Sequence, residues 1–184
     1  MNKTELRKKI LQKRETCPEK ERLILKNLLS MKEFEEAELI LTYVSAAGEI
    51  DTRELINRCF EYGKRVAIPK ITDSQTVRSM AFFEIESLHG LARGKFGILE
   101  PDISYTEAQI NKNAPFTFCV TPALAYNTSG FRLGRGGGFY DRFLADYNGT
   151  SAGLCYEENI KDFPVEAHDV PVNFIITEGG VIVV

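Results

Sequence analysis

The chain has 184 residues, of which 43% are hydrophobic and 27% charged. That length predicts one domain, residues 1–184, large enough to bury roughly 70% of its unfolded surface without disulfides or a structural metal. No stretch approaches the ~20 apolar residues of a membrane helix, charge begins at Lys3 without an apolar signal core, and a net charge of −3 excludes a general nucleic-acid coat.

The mean charge hides a polarity. Residues 1–26 carry nine Lys or Arg against four Glu, a local +5 that leaves −8 for the remainder. This surplus reads either as a solvated helix face or as part of an anion site.

Asn2 followed three residues later by Glu5 forms a capping box that opens a first helix, with Leu6, Ile10 and Leu11 as its apolar positions. Pro18 opens a second helix that buries Leu25, Leu28 and Leu29. The branched run from Leu39 to Val44 predicts a buried strand. After a Ser-Ala-Ala-Gly-Glu loop, Asp51 or Thr52 caps a helix that reaches Tyr62 and stops at Gly63. Val66-Ala67-Ile68 predicts a strand cut off by Pro69, and Met80–Ile85 and Phe118–Thr121 predict two more. Residues 86–116, rich in Gly and Pro, read as a long surface connection. A helix from about Tyr140 to Tyr147 follows a glycine-rich turn, and strands are expected at 152–154, 174–176 and 181–184.

Apolar strands alternating with helices predict a three-layer α/β/α fold around a mostly parallel, doubly wound sheet. Ligands in such sheets bind beyond the carboxyl ends of the strands, so the loops after Val44, Ile68 and Thr121 are the places to look. Cys17, Cys59, Cys119 and Cys155 lie 42, 60 and 36 positions apart, too far for any CxxC site, and Cys119 and Cys155 read as small core residues.

Residues 130–142 read GFRLGRGGGFYDR. Gly134, Gly136, Gly137 and Gly138 suit a backbone that turns sharply or approaches a ligand closely. The run fits neither GxGxxG, because Phe139 replaces the third glycine, nor GxxxxGK[ST]. It reads as a strand–helix turn or as an anion-binding nest, and flanking Arg132, Arg135 and Asp141 favour the second. Asp141 suits either Mg²⁺ shared with phosphates or a helix-dipole partner. Asp169 reads as a turn residue, and His168 beside it as a surface histidine.

With that loop in view, the sequence resembles the 5-formyltetrahydrofolate cyclo-ligase family, also called methenyltetrahydrofolate synthetases. RLGRGGGFYDR at 132–142 carries the resemblance most specifically. TPALAYNTSG, KTELR, YVSAAGEIDT, VAIPK, MAFFEI, KFGILEPD and HDVPVNFIITE support it in order along the chain. The resemblance implies an ATP- and Mg²⁺-dependent enzyme that closes 5-formyltetrahydrofolate to 5,10-methenyltetrahydrofolate, releasing ADP and phosphate. It implies small-molecule substrates, and the chain is expected to bind no nucleic acid or membrane, to be a monomer and to be cytoplasmic.

Residue by residue, the resemblance places Lys3 and Arg7 at the ATP phosphates. Arg132, Gly134, Arg135, Gly136, Gly137, Gly138, Phe139 and Tyr140 form the triphosphate cradle. Arg135 is the catalytic cation. Arg7, Val44, Glu49, Arg135 and Phe139 face the folate, with Glu49 on the pterin, and Asp141 and Asp169 hold Mg²⁺. The chain departs from many members at Gly137, where Lys is frequent, and at Phe139, where Tyr is frequent. Asn127 and Asn173 stand where Asp is often found. The alternative reading of the same motifs is a non-catalytic nucleotide- or folate-binding module. A sugar-phosphate isomerase or acyl-transferase-like enzyme on a similar sheet ranks behind it.

Overall fold

The computed structural model describes residues 2–13, 16–46, 49–73, 78–94, 99–101, 105–108 and 116–184. The KFGI segment at 95–98, Asp102 and Gly48, all part of the motifs above, lie outside the described residues.

Helices α1 (Lys3–Lys13), α2 (Pro18–Leu29) and α3 (Lys32–Glu36) lead into strand β1 (Leu39–Leu41). Next come α4 (Arg53–Glu61), β2 (Arg65–Asp73), β3 (Arg78–Ile85), and two short strands, β4 (Ala92–Arg93) and β5 (Leu99–Glu100). Strand β6 (Thr117–Thr121) precedes the hairpin β7 (Ala125–Tyr126) and β8 (Arg132–Leu133), which feeds α5 (Phe139–Ala145). Strands β9 (Thr150–Leu154), β10 (Phe174–Thr177) and β11 (Gly180–Val183) complete the chain.

The main sheet has seven strands in the order β11-β10-β9-β6-β1-β2-β3. Its five central strands pair in parallel, and the two edge strands β3 and β11 are antiparallel. Strand alternation divides the core. Ile40, Val66, Ile68, Phe118, Val120, Leu154 and Ile176 face α2, α3 and α4. Leu39, Leu41, Ala67, Cys119 and Ile175 face α5 and the Tyr126 ring. Helix α1 docks on the β7–β8 hairpin through Leu6 and Ile10, packed with Leu124, Ala125, Leu133 and Phe163. These are the expected three layers around a mostly parallel sheet.

Local chemistry explains most boundaries. Glu5 N–H donates to Asn2 Oδ1 at 2.9 Å and Asn2 N–H to Glu5 Oε2 at 3.2 Å, closing the capping box of α1. Gly63, at φ +69°, stops α4, and its N–H reaches Phe60 O. Gly153 leaves room for Tyr126, whose ring carbon Cζ lies 2.1 Å from where a Cβ at that position stands.

Four sequence expectations need correction. Strand β2 runs through Pro69 to Asp73 instead of ending at it. Phe82 O accepts the Ala108 N–H, so the carbonyl of Phe82 turns away from β2, and its partner Pro69 occupies a pair that needs no N–H. On the other side β1 has already ended at Leu41, short of the expected Val44. Leu11 is exposed, because α1 covers only a small hairpin and buries a narrow stripe. Part of the 86–116 connection is ordered against the sheet, where Ala108 is buried and Glu84 N–H donates to Thr106 O.

Candidate active site

The sheet order sets where a ligand can enter. From β1 the chain crosses through α4 to β2 on one side, and from β6 it crosses through α5 to β9 on the other. Strands β1 and β6 are neighbours, so their carboxyl ends flank a topological switch point. The loops 42–52 and 134–138 converge there.

The glycine loop leaves β8 and enters α5 through two left-handed residues, Gly136 at φ +99° and Gly138 at φ +64°. A side chain at either is strained, which explains glycine at both. Among the described residues no partner takes the N–H groups of Gly136, Gly137 or Gly138, leaving a row of donors fit for an anion. Cations ring them. Arg7 Nε donates to Gly134 O at 2.8 Å, and its guanidinium carbon lies 3.8 Å from where a Cβ on Gly136 stands. Arg142 donates to Gly137 O at 3.1 Å and lies 5.1 Å from the Phe139 ring centroid. The sequence reading passed over Arg142, although its i+4 spacing from Gly138 put it one turn into the helix.

The two departures from the family pattern touch each other. A Cβ on Gly137 stands 2.7 Å from the Phe139 ring, so the ring lies where a Lys stem leaves the backbone. Phe139 and the missing Lys are one local solution.

Arg135 reaches across to the other loop. Its Nη2 and Nε lie 3.3 and 3.4 Å from Glu49 Oε1, while Glu49 Oε2 accepts the Ala46 N–H at 3.0 Å. Glu49 is largely buried and Arg135 half-exposed. Hydrogen bonds join the residues on either side of Glu49. Ser45 Oγ donates to Asp51 Oδ1 at 2.7 Å, Arg53 donates to Ser45 Oγ at 2.8 Å, and Thr52 Oγ1 donates to Tyr43 O. Burial pushes the Asp51 carboxyl up, but the Arg53 N–H, the Ser45 hydroxyl and the Arg53 guanidinium outweigh it and hold it below the usual value. Val44 is buried at the head of this loop.

The two aspartates come together through a third segment. Arg132 is buried, donating to Asp141 Oδ1 and, at 2.8 Å, to Val170 O, while Val170 N–H donates to Asp141 Oδ1 at 3.2 Å. Next in sequence, Asp169 Oδ2 accepts Lys3 Nζ at 2.6 Å and the Glu166 N–H at 2.8 Å. Burial raises the Asp169 carboxyl, and Lys3 with the Glu166 N–H overcomes that and leaves it lowered. Lys3 and Arg132 are thus held by carboxylates, whereas Arg7 and Arg135 border the loop. Among the described residues no group of three His, Cys, Asp or Glu gathers for a metal. Two carboxylates suit Mg²⁺, which takes its other ligands from phosphates and water. Asn127 Oδ1 accepts the N–H groups of Ser129 and Phe131 and shapes that turn, while Asn173 Oδ1 accepts the Ser151 N–H and hydroxyl and ties the start of β10 to β9. His168 is exposed, as expected.

Residues 1–178 match the model of the 5-formyltetrahydrofolate cyclo-ligase family. The chain is 31% identical over 156 residues to a 5-formyltetrahydrofolate cyclo-ligase of Haemophilus influenzae, covering 83% of this chain and 82% of that protein. It is 28% identical over 169 residues to a probable 5-formyltetrahydrofolate cyclo-ligase of Caenorhabditis elegans, covering 87% and 82%. The solution structure of Aquifex aeolicus 5,10-methenyltetrahydrofolate synthetase superposes with a TM-score of 0.81 at 30% identity, covering all of this chain and 93% of that one.

Proposed function

The chain belongs to the 5-formyltetrahydrofolate cyclo-ligase family, and on that premise we propose that it uses ATP and Mg²⁺ to close 5-formyltetrahydrofolate to 5,10-methenyltetrahydrofolate, releasing ADP and phosphate. As a member it is an enzyme, which sets aside the non-catalytic module. The reading rests on one observation above the rest. Arg135, from the glycine loop, and the mostly buried Glu49, from the β1–α4 loop, meet at 3.3 Å across the switch point. One belongs to an anion-binding surface, and the other is a carboxylate shaped for paired donors. Two unlike ligands fit side by side, a polyphosphate and the amino-pyrimidinone edge of a pterin.

In this account the formyl oxygen attacks the γ-phosphorus, the bond to the ADP oxygen breaks, and an imidate phosphate forms. N10 then attacks the former formyl carbon, the C–O bond breaks, phosphate leaves with the formyl oxygen, and N10 gives up its proton. No covalent enzyme intermediate is needed, so the residues position and neutralise charge. The N–H groups of Gly136–Gly138 and the Arg7 guanidinium take the triphosphate, and Arg135 moves from Glu49 to the transferring phosphoryl group. Glu49, released, takes the pterin, with Val44 and Phe139 lining that side. Arg132 holds Asp141, and Lys3 holds Asp169, so that each carboxylate faces the phosphates in a fixed orientation. Mg²⁺ bound there supplies neutralisation of phosphate charge. Among the described residues no helix is long and apolar enough to cross a membrane.

Mixing the protein with 5-formyltetrahydrofolate, ATP and Mg²⁺ produces the near-ultraviolet absorption of the methenyl product. Omitting ATP, or chelating Mg²⁺, abolishes it. Well-folded protein that yields no chromophore in the complete mixture contradicts the reading.

A further inference from the structure

Among the described residues only two buried side-chain polar atoms lack a hydrogen-bond partner, Thr42 Oγ1 and Tyr140 Oη. Thr42 is the first residue beyond β1. Tyr140, in the first turn of α5, packs among Leu41, Cys119 and Phe82, with the Arg132 guanidinium carbon 6.0 Å from its ring centroid. The groups that bear on its hydroxyl are Cys119 of β6, Tyr43 and Glu49 of the β1–α4 loop, and Arg132. Leu41 and Cys119 are register partners on β1 and β6, so Tyr140 packs where those two strands flank the switch point.

An unpaired buried hydroxyl carries its full desolvation cost with no compensating bond, and so calls for a reason. We propose that Tyr140 is a folate-contacting residue, its hydroxyl donating a hydrogen bond to the ring carbonyl of the bound pterin. The proposal rests on the reading of the site given above and moves Tyr140 from the nucleotide to the folate. The ligand chemistry fits the pair of protein groups. A pyrimidinone edge presents an amino group and a ring N–H to a carboxylate, and beside them a carbonyl oxygen that requires a donor. Glu49 supplies the carboxylate, and Tyr140 supplies the donor. A phenol is a donor at neutral pH. Arg132, the cation facing it, is already bound to Asp141 and Val170, and phosphate oxygens have the glycine loop, Arg7 and Arg135 instead. A ligand that takes Glu49 must open the Arg135–Glu49 pair, whose contacts of 3.3 and 3.4 Å are long for charge-assisted hydrogen bonds.

Titration calorimetry on the full chain and on Tyr140→Phe tests this, using 5-formyltetrahydrofolate alone and a non-hydrolysable ATP analogue alone. The expected result is about tenfold weaker folate binding, the loss of one hydrogen bond, with nucleotide affinity unchanged. The melting temperature of the variant is equal to or above that of the parent, because the deleted hydroxyl has no partner in the folded chain. Equal folate affinity, a loss confined to the nucleotide, or a lowered melting temperature overturns the proposal while leaving the function intact. Absence of folate binding by the unmodified chain overturns the functional reading itself.

Discussion

Arginine side chains of identical chemistry serve different ends here because their burial differs. Arg132 is 3% exposed along its side chain and bound on two sides, whereas Arg135 is 53% exposed with two long contacts to one oxygen of Glu49. A long pair screened by solvent on its arginine side contributes about 0–1 kcal/mol to the fold. Arg135→Ala therefore leaves the melting temperature within a few degrees of the parent, while a lost transition-state cation lowers turnover by about 100- to 1,000-fold. Thermal melts beside the methenyl assay check both, and a large fall in stability instead assigns Arg135 to the turn. Glycine spacing made this loop legible in the sequence, because four glycines in five positions fit no helix or strand interior. The division of labour among its arginines was not legible. It depends on Val170 and Asp141, one of them 38 positions away, which only the fold brings to Arg132.

Secondary-structure elements followed their local signals wherever those signals were covalent or steric. The capping box of α1, the proline that opens α2 and the glycine that ends α4 all stand where expected. What failed was decided by partners. Pro69 reads as a strand breaker until the Phe82 carbonyl is seen to face Ala108, and Leu11 reads as buried until α1 proves to rest on a two-stranded hairpin. The tie between α2 and the β10–β11 turn was equally invisible. Lys20 Nζ lies 2.8 Å from Glu178 Oε1, the Glu157 N–H donates to Glu178 Oε2 at 3.0 Å, and Asn27 donates to Thr177 O at 2.8 Å. Burial pushes the Glu178 carboxyl up, but Lys20 and the Glu157 N–H outweigh it and hold it below 4.5. A lowered folded-state value means that the stabilisation is complete above 4.5 and lost as the pH falls through that lower value. Denaturant titrations at successive pH values should therefore show a smaller acid-induced loss of stability in Glu178→Gln than in the parent below about pH 4.5. Parallel losses in the two proteins contradict this tie.

At the scale of the molecule, the basic N-terminal segment finds its counterparts far along the chain. Lys3 reaches Asp169, Arg7 reaches Gly134, and Lys20 reaches Glu178, while Lys8, Lys9 and Lys13 stay exposed. A net charge of −3 conceals this arrangement, since the mean says nothing of which charges a sheet brings together. The three-layer fold was legible because alternating helices and two-sided apolar strands admit few arrangements. The switch point was not, because it depends on β6 inserting beside β1 with the chain leaving the two strands in opposite directions. That geometry sets the Glu49 and Arg135 loops against each other, the crevice proposed for a pterin beside a triphosphate. The central claim is that the formyl oxygen attacks the γ-phosphorus in that crevice. Turnover of 5-formyltetrahydrofolate carrying ¹⁸O in the formyl group, with mass analysis of the released phosphate, tests it most directly. One ¹⁸O is expected in each phosphate released, and phosphate whose fourth oxygen comes from solvent refutes that attack.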